Sequence, residues 1–169
     1  TCWGNISGVE LDPELVRAAR RTEIAYFRKT NADSRVKRSE AEKSGHPIIS
    51  LRWLDVNKGD MTNPVMRSRL VGREFNVGKD DSLYASTPPL EALRMIVSEA
   101  ATVDDEGETK QIMINDVSRA YFYAKAQRTL FIELPEEDDE AQDDEVGVLN
   151  VCLYGTRDAA KGWQSTLSN

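Results

Sequence analysis

Two runs of alternating residues commit this chain to an antiparallel hairpin. In Ile49 to Val56, the apolar Ile49, Leu51 and Trp53 alternate with Ser50 and Arg52. In Val65 to Val71, Met66, Ser68 and Leu70 alternate with Arg67 and Arg69. Between them, Asn57-Lys58-Gly59-Asp60 supplies turn chemistry. Successive side chains of a strand point to opposite faces, so Arg67 and Arg69 share one face. The hairpin is therefore read as a basic ribbon.

Helical patterns lie on both sides of the hairpin in the sequence. Leu11-Asp12-Pro13-Glu14 is a helix start, with Asp12 as N-cap and Pro13 in the first turn. Leu15, Ala18, Ala19, Thr22 and Tyr26 then recur at helical spacing out to about Lys29. The polar and basic stretch from Thr30 to Pro47 is expected to be a loop or a mobile segment. Pro88-Pro89 opens a second helix with an apolar stripe of Leu90, Leu93, Ile96, Val97 and Ala100, ending near Thr102. Asp104 to Glu108 is a polar turn. Strands are expected at Gln111 to Val117, Thr129 to Leu134 and Gly147 to Tyr154, with a turn or short helix at Ser118 to Ala124. A last helix is expected from Ala159 to Leu167. This order is an α+β pattern with mainly antiparallel pairing.

Composition narrows the chemistry. The chain has 169 residues, one histidine and two cysteines, Cys2 and Cys152. His46 sits in the turn-like Ser44-Gly45-His46-Pro47, so triads and His or Cys metal sites find little support. No apolar run reaches the roughly 20 residues of a membrane helix, and no signal-peptide pattern opens the chain. The expectation is an intracellular protein, cytoplasmic or nuclear, with no membrane partner, and a piece of a longer polypeptide. The net charge is −7. The run Glu136 to Glu145 holds eight acids, and subtracting them leaves +1. That run is read as a solvated, repulsive loop. Basic residues gather earlier, at Arg17, Arg20, Arg21, Arg28, Lys29, Arg35, Lys37, Arg38, Lys43 and Arg52, where they can face phosphate.

Within Ile112 to Tyr121 an apolar run delivers one acid, Asp116, with the ring of Tyr121 close behind it. A carboxylate at a strand end suits a hard divalent cation, and the ring suits a sugar pocket. The structural alternatives are a turn-capping acid and a core aromatic.

Four blocks in order carry a resemblance. They are Arg52-Trp53 with Arg67 to Arg73; Tyr84-Ala85-Ser86-Thr87-Pro88 through Leu93 to Ile96; Asp116 to Phe122 with Leu130 to Pro135; and Leu153-Tyr154-Gly155 through Gly162-Trp163-Gln164. From about Pro47 onward the chain resembles the reverse transcriptase domain of Ty1/copia-type retrotransposon Pol polyproteins. Residues 1–46 would be an N-terminal helix and basic linker, and 47–169 the fingers and a partial palm.

The resemblance implies an RNA-directed DNA polymerase that uses magnesium, an RNA or DNA primer–template and deoxynucleoside triphosphates, within a longer Pol polyprotein. It makes Asp116 the first metal-binding catalytic carboxylate and the Val117 carbonyl a further ligand. Tyr121 becomes the steric gate for the sugar. Arg69 and Arg67 become phosphate contacts, for which the alternative is a solvated hairpin face; Arg52 and Arg73 would extend them. Trp53 and Trp163 are read as packing residues. Two departures follow. Asp158 stands where the family usually has a glutamine, facing the triphosphate unless it pairs with Arg157 or Lys161. The paired aspartates that complete the family's metal site have no counterpart between Asp116 and Asn169 outside the acidic run. The chain is thus expected to be truncated before the second catalytic motif and inactive alone; a non-catalytic retroelement remnant that binds nucleic acid is the alternative.

Overall fold

The computed structural model describes residues 2–5, 7–75, 85, 87–103, 107 and 110–168. The chain divides into two compact units, 1–84 with 120–169, and 85–119. It is a mixed α+β protein, and among the described residues no helix is long and apolar enough to cross a membrane.

In the larger unit, β1 (Cys2–Trp3) pairs antiparallel with β2 (Glu10–Leu11). Helix α1 (Pro13–Lys29) starts as its sequence dictates, the Asp12 carboxylate accepting from the Glu14 and Leu15 amides at 2.8 and 3.2 Å. Its buried face is Val16, Glu23, Ile24 and Phe27, whereas Leu15, Ala18 and Thr22 of the expected stripe are exposed. Arg20 explains the misreading. It reaches Asp55 at 2.6 Å and lies over the Trp53 ring at 5.3 Å, so charged residues interrupt the apolar period of the packed side.

The segment expected as a loop after α1 is instead β3 (Asp33–Lys37) and α2 (Arg38–Ser44), the latter closed by Gly45 in the left-handed region. The partner of β3 is β8 (Glu145–Leu149), antiparallel from Asp33 opposite Leu149 to Lys37 opposite Glu145. Such a distant partner leaves no trace in local sequence. β8 also pairs with β7 (Phe131–Ile132), which runs parallel to β4 (Ile48–Ile49), giving the order β3-β8-β7-β4. Residues from 1–46 and from 47–169 therefore share one sheet. Alternation sorts its faces. Val36, Ile48, Phe131, Val146 and Val148 meet Ala41 of α2. Ile49, Ile132 and Leu149 join Phe27, Leu70, Phe122, Leu130 and Leu153 in the main core.

The predicted hairpin forms as β5 (Leu51–Asn57) and β6 (Met66–Gly72), with Trp53 opposite Leu70 and Leu54 opposite Arg69. In the turn, the Asn57 side-chain oxygen accepts from the Gly59 and Val65 amides, both at 2.9 Å. Trp53, Asp55, Ser68 and Leu70 form the face toward α1. On it Ser68 donates to Asp55 at 2.7 Å.

The acidic run is not a free loop. The Asp138 carboxylate is buried and accepts from both Arg28 and Arg35. Arg28 also reaches Asp139 and Glu140, at 2.7 and 2.9 Å. Glu137 accepts from Arg20 at 2.5 Å and from the Trp53 indole N–H at 2.9 Å. Much of the N-terminal basic cluster is thereby neutralised within the fold, with Arg38 held by Glu133.

In the smaller unit, α3 (Leu90–Ala100) follows Pro89, and Leu90, Leu93, Ile96 and Val97 of its stripe are all more than half exposed. Residues 111–117 form no strand. They have no regular structure and are exposed, Met113 and Ile114 at 81% and 89%. A strand exists only against a partner ladder, and among the described residues this run has none. Most of the polar turn at 104–108, and Tyr84 and Ser86 of the second block, lie outside the described residues. In the larger unit the chain continues through a 3₁₀ turn (Ala120–Tyr123), and α4 (Ala159–Leu167) forms where expected. The strand expected to reach Tyr154 ends at Leu149, and only Val151 continues it, by a single bridge to Lys125.

Candidate nucleic-acid interface

The hairpin face opposite α1 carries Arg52, Leu54, Val56, Arg67, Arg69 and Val71, placed together by the register of β5 and β6. Arg52 and Arg67 are exposed, and Arg69 is half-buried. Among the described residues none of the three has a carboxylate partner, nor has Arg73 just beyond β6. This separates them from Arg20, Arg28, Arg35, Arg38 and Arg128, which all do. At the end of the ribbon, Arg52, Gly72, Arg73, Glu74 and Phe75 line a cleft of about 220 Å³, with the Arg73 guanidinium 5.8 Å from the Phe75 ring.

Arg69 is held by an aromatic ring. Its guanidinium carbon lies 4.9 Å from the Tyr154 ring centroid, and its buried Nε–H makes no hydrogen bond. Tyr121 packs on the same tyrosine, ring centroids 4.5 Å apart and planes inclined at 46°. Tyr121 is half-buried, while its neighbour Phe122 is the core aromatic, edge-on to Tyr26 and Phe27 at 5.5 and 5.6 Å. The structure thus brings Arg69 and Tyr121 together through Tyr154, whose contact role the sequence did not announce.

Asp158 is placed differently from expectation. It precedes α4, is 5% exposed, and accepts from Arg128 at 3.2 Å. Arg128 also binds Glu74, which accepts in turn from the Arg157 amide at 2.8 Å. Asp158 is one corner of an ion cluster rather than an acid facing an open phosphate site. The partner Arg128 was not marked by sequence, because nothing local ties it to position 158. Beside this cluster, burial pushes the Cys152 thiol up to about 11, which keeps it protonated and unsuited to nucleophilic chemistry.

Asp116 and Val117 belong to the 85–119 unit, in an exposed segment without regular structure. Among the described residues no group of three His, Cys, Asp or Glu side chains is arranged to hold a metal ion. A pair of divalent cations needs several carboxylate oxygens converging on one point. The described residues around Asp116 do not supply that donor set.

No protein-family model matches the chain, and neither does any of the curated proteins or solved structures compared with it.

Proposed function

We propose that this chain is a fingers and partial-palm portion of a Ty1/copia-type reverse transcriptase, and that its own contribution is a phosphate-contacting face. The observation that carries the reading is the pairing pattern of the arginines. Arg17, Arg20 and Arg28 of α1, Arg35 of β3 and Arg38 of α2 are held by carboxylates, Arg21 of α1 being the exception, while Arg52, Arg67 and Arg69 share one strand face with none among the described residues. Guanidinium forks left without an acid suit phosphate oxygens. Tyr121 packs on the same tyrosine as Arg69, a placement that suits a sugar-facing ring, and the parent polymerase would use magnesium, primer–template and deoxynucleoside triphosphates.

A second reading is favoured by one observation: among the described residues Asp116 belongs to no group of three His, Cys, Asp or Glu side chains that could hold a metal ion. In that reading the chain is a retroelement-derived nucleic-acid-binding module without chemistry. Both readings share a binding test. Affinity for a fluorescent primer–template, measured by anisotropy across a salt series, falls steeply with salt. Each of Arg52→Gln, Arg67→Gln and Arg69→Gln lowers the log–log slope by about 0.9, the value of one phosphate contact. Salt-independent binding, or a triple variant that binds like the parent, would remove the basic ribbon from the account. Adding magnesium and deoxynucleoside triphosphates to the same mixture is expected to give no primer extension. Extension abolished by Asp116→Asn would reject the module reading and restore Asp116 as a catalytic ligand.

A further inference from the structure

We infer that Tyr154 is the positioning residue that presents Arg69 to phosphate; the inference rests on the phosphate-contacting face proposed above. Three observations fix the tyrosine relative to the hairpin. The Gly72 amide at the end of β6 donates to the Tyr154 carbonyl at 2.7 Å. Gly155 has φ +83°, and a Cβ there would run into the Gly72 carbonyl, so the two backbones meet more closely than any other residue allows. Leu153 on one side and Leu70 on the other are 0% and 3% exposed, anchoring both segments in the same core. The Tyr154 ring is therefore delivered to Arg69 by backbone contacts.

The choice of a ring as partner has a chemical consequence. A carboxylate beside a guanidinium occupies its N–H fork, as at Arg38 and Glu133. A ring stacked on the guanidinium plane attracts the cation without accepting those hydrogen bonds, so the in-plane donors remain for oxygen ligands. Among the described residues the Arg69 side chain makes no hydrogen bond or ion pair, and its Nε–H is a buried orphan donor. Tyr154 orders Arg69 and leaves its donors unspent. The Tyr121 contact means that the same ring sets the position of the proposed sugar-facing residue.

The test uses the full chain with two probes, a primer–template and inorganic triphosphate, which separate backbone phosphate from nucleotide phosphate. Arg69→Gln is expected to weaken binding of at least one probe by about threefold or more and to lower the primer–template salt slope by about 0.9. Tyr154→Leu reproduces both losses, Tyr154→Phe retains parental values because the ring remains, and the Arg69→Gln/Tyr154→Leu double variant is no weaker than Arg69→Gln alone. Parental binding by Tyr154→Leu beside a defective Arg69→Gln overturns the inference while leaving the ribbon reading intact. Parental binding by Arg69→Gln sinks the role of Arg69 itself. Should Tyr154→Leu fail to unfold cooperatively, the Arg69 Nε–H resonance of the parent chain decides. The ring holds it upfield, and it moves on titration with the bound probe; a resonance without ring-current shift, or one the probe leaves in place, overturns the inference.

Discussion

Gly155 carries φ +83° against the Gly72 backbone, so a side chain there meets two penalties at once. A left-handed backbone is strained for an L residue, and here the Cβ also strikes a carbonyl that is part of the chain. Gly155→Ala is expected to destabilise the protein by about 3 kcal/mol or more, read from urea unfolding, and to weaken primer–template binding through the displaced Tyr154. An unchanged unfolding midpoint would mean that the Tyr154–Gly72 clasp is not formed. The glycine was visible in sequence as part of Leu153-Tyr154-Gly155, but its reason was not, because the clash is with a residue on another element. Asp158 gives the same lesson. Its identity could be read, whereas its burial and its bond to Arg128 depend on packing that brings Glu74, Arg128 and α4 together.

Elements with local causes were legible, and elements defined by distant partners were not. The start of α1 follows from Asp12 and Pro13, and the β5–β6 hairpin from alternation and the turn chemistry of Asn57-Lys58-Gly59-Asp60, so both stand as expected. β3 has no local signal and exists because β8 pairs with it. The acidic stretch was misread for a related reason, since its partners Arg20, Arg28 and Arg35 precede it by most of the chain. Two aspartates near Arg35 make this testable with opposite signs. At Asp138 burial pushes the carboxyl up, but hydrogen bonds from Arg28 and Arg35 outweigh it and hold it below the ordinary value of 3.8. Its stabilisation is full above that value and is lost as pH falls below it, when the unfolded chain takes up the proton first. At Asp33 burial raises the carboxyl, and Arg35 draws it only partly back. There the folded state is penalised at neutral pH, and the penalty fades as pH falls through the raised value. Asp138→Asn is expected to cost about 2 kcal/mol near neutral pH, the deficit shrinking in acid. Asp33→Asn is expected to be neutral or stabilising near neutral pH. Urea titrations from neutral to acid pH check both, and equal losses for the two variants would contradict the assignment.

At the scale of the whole molecule, order is unevenly distributed. β8 is hydrogen-bonded on both edges, to β3 and β7, with Val146 at 0% exposure and Leu149 at 6%. Residues 111–117 make no backbone hydrogen bond among the described residues and expose Ile112, Met113 and Ile114. The sequence favoured a strand there because the run is apolar, but apolarity alone does not separate a strand from a segment lacking its partner. The distinction bears on function, since Asp116 can act as a rigid metal ligand only if the residues before it are held. Native-state hydrogen exchange measures this directly. Amides of Val146 to Val148 are expected to exchange only through global unfolding, with protection near the full stability of about 5–15 kcal/mol. Amides of 111–117 are expected to exchange near the intrinsic rate. Protection there comparable to β8 would mean that the run forms a ladder in solution, and Asp116 would then stand at the end of a fixed strand, as the catalytic reading requires. Rapid exchange would instead confine the function of this chain to the arginine face and its tyrosine clasp.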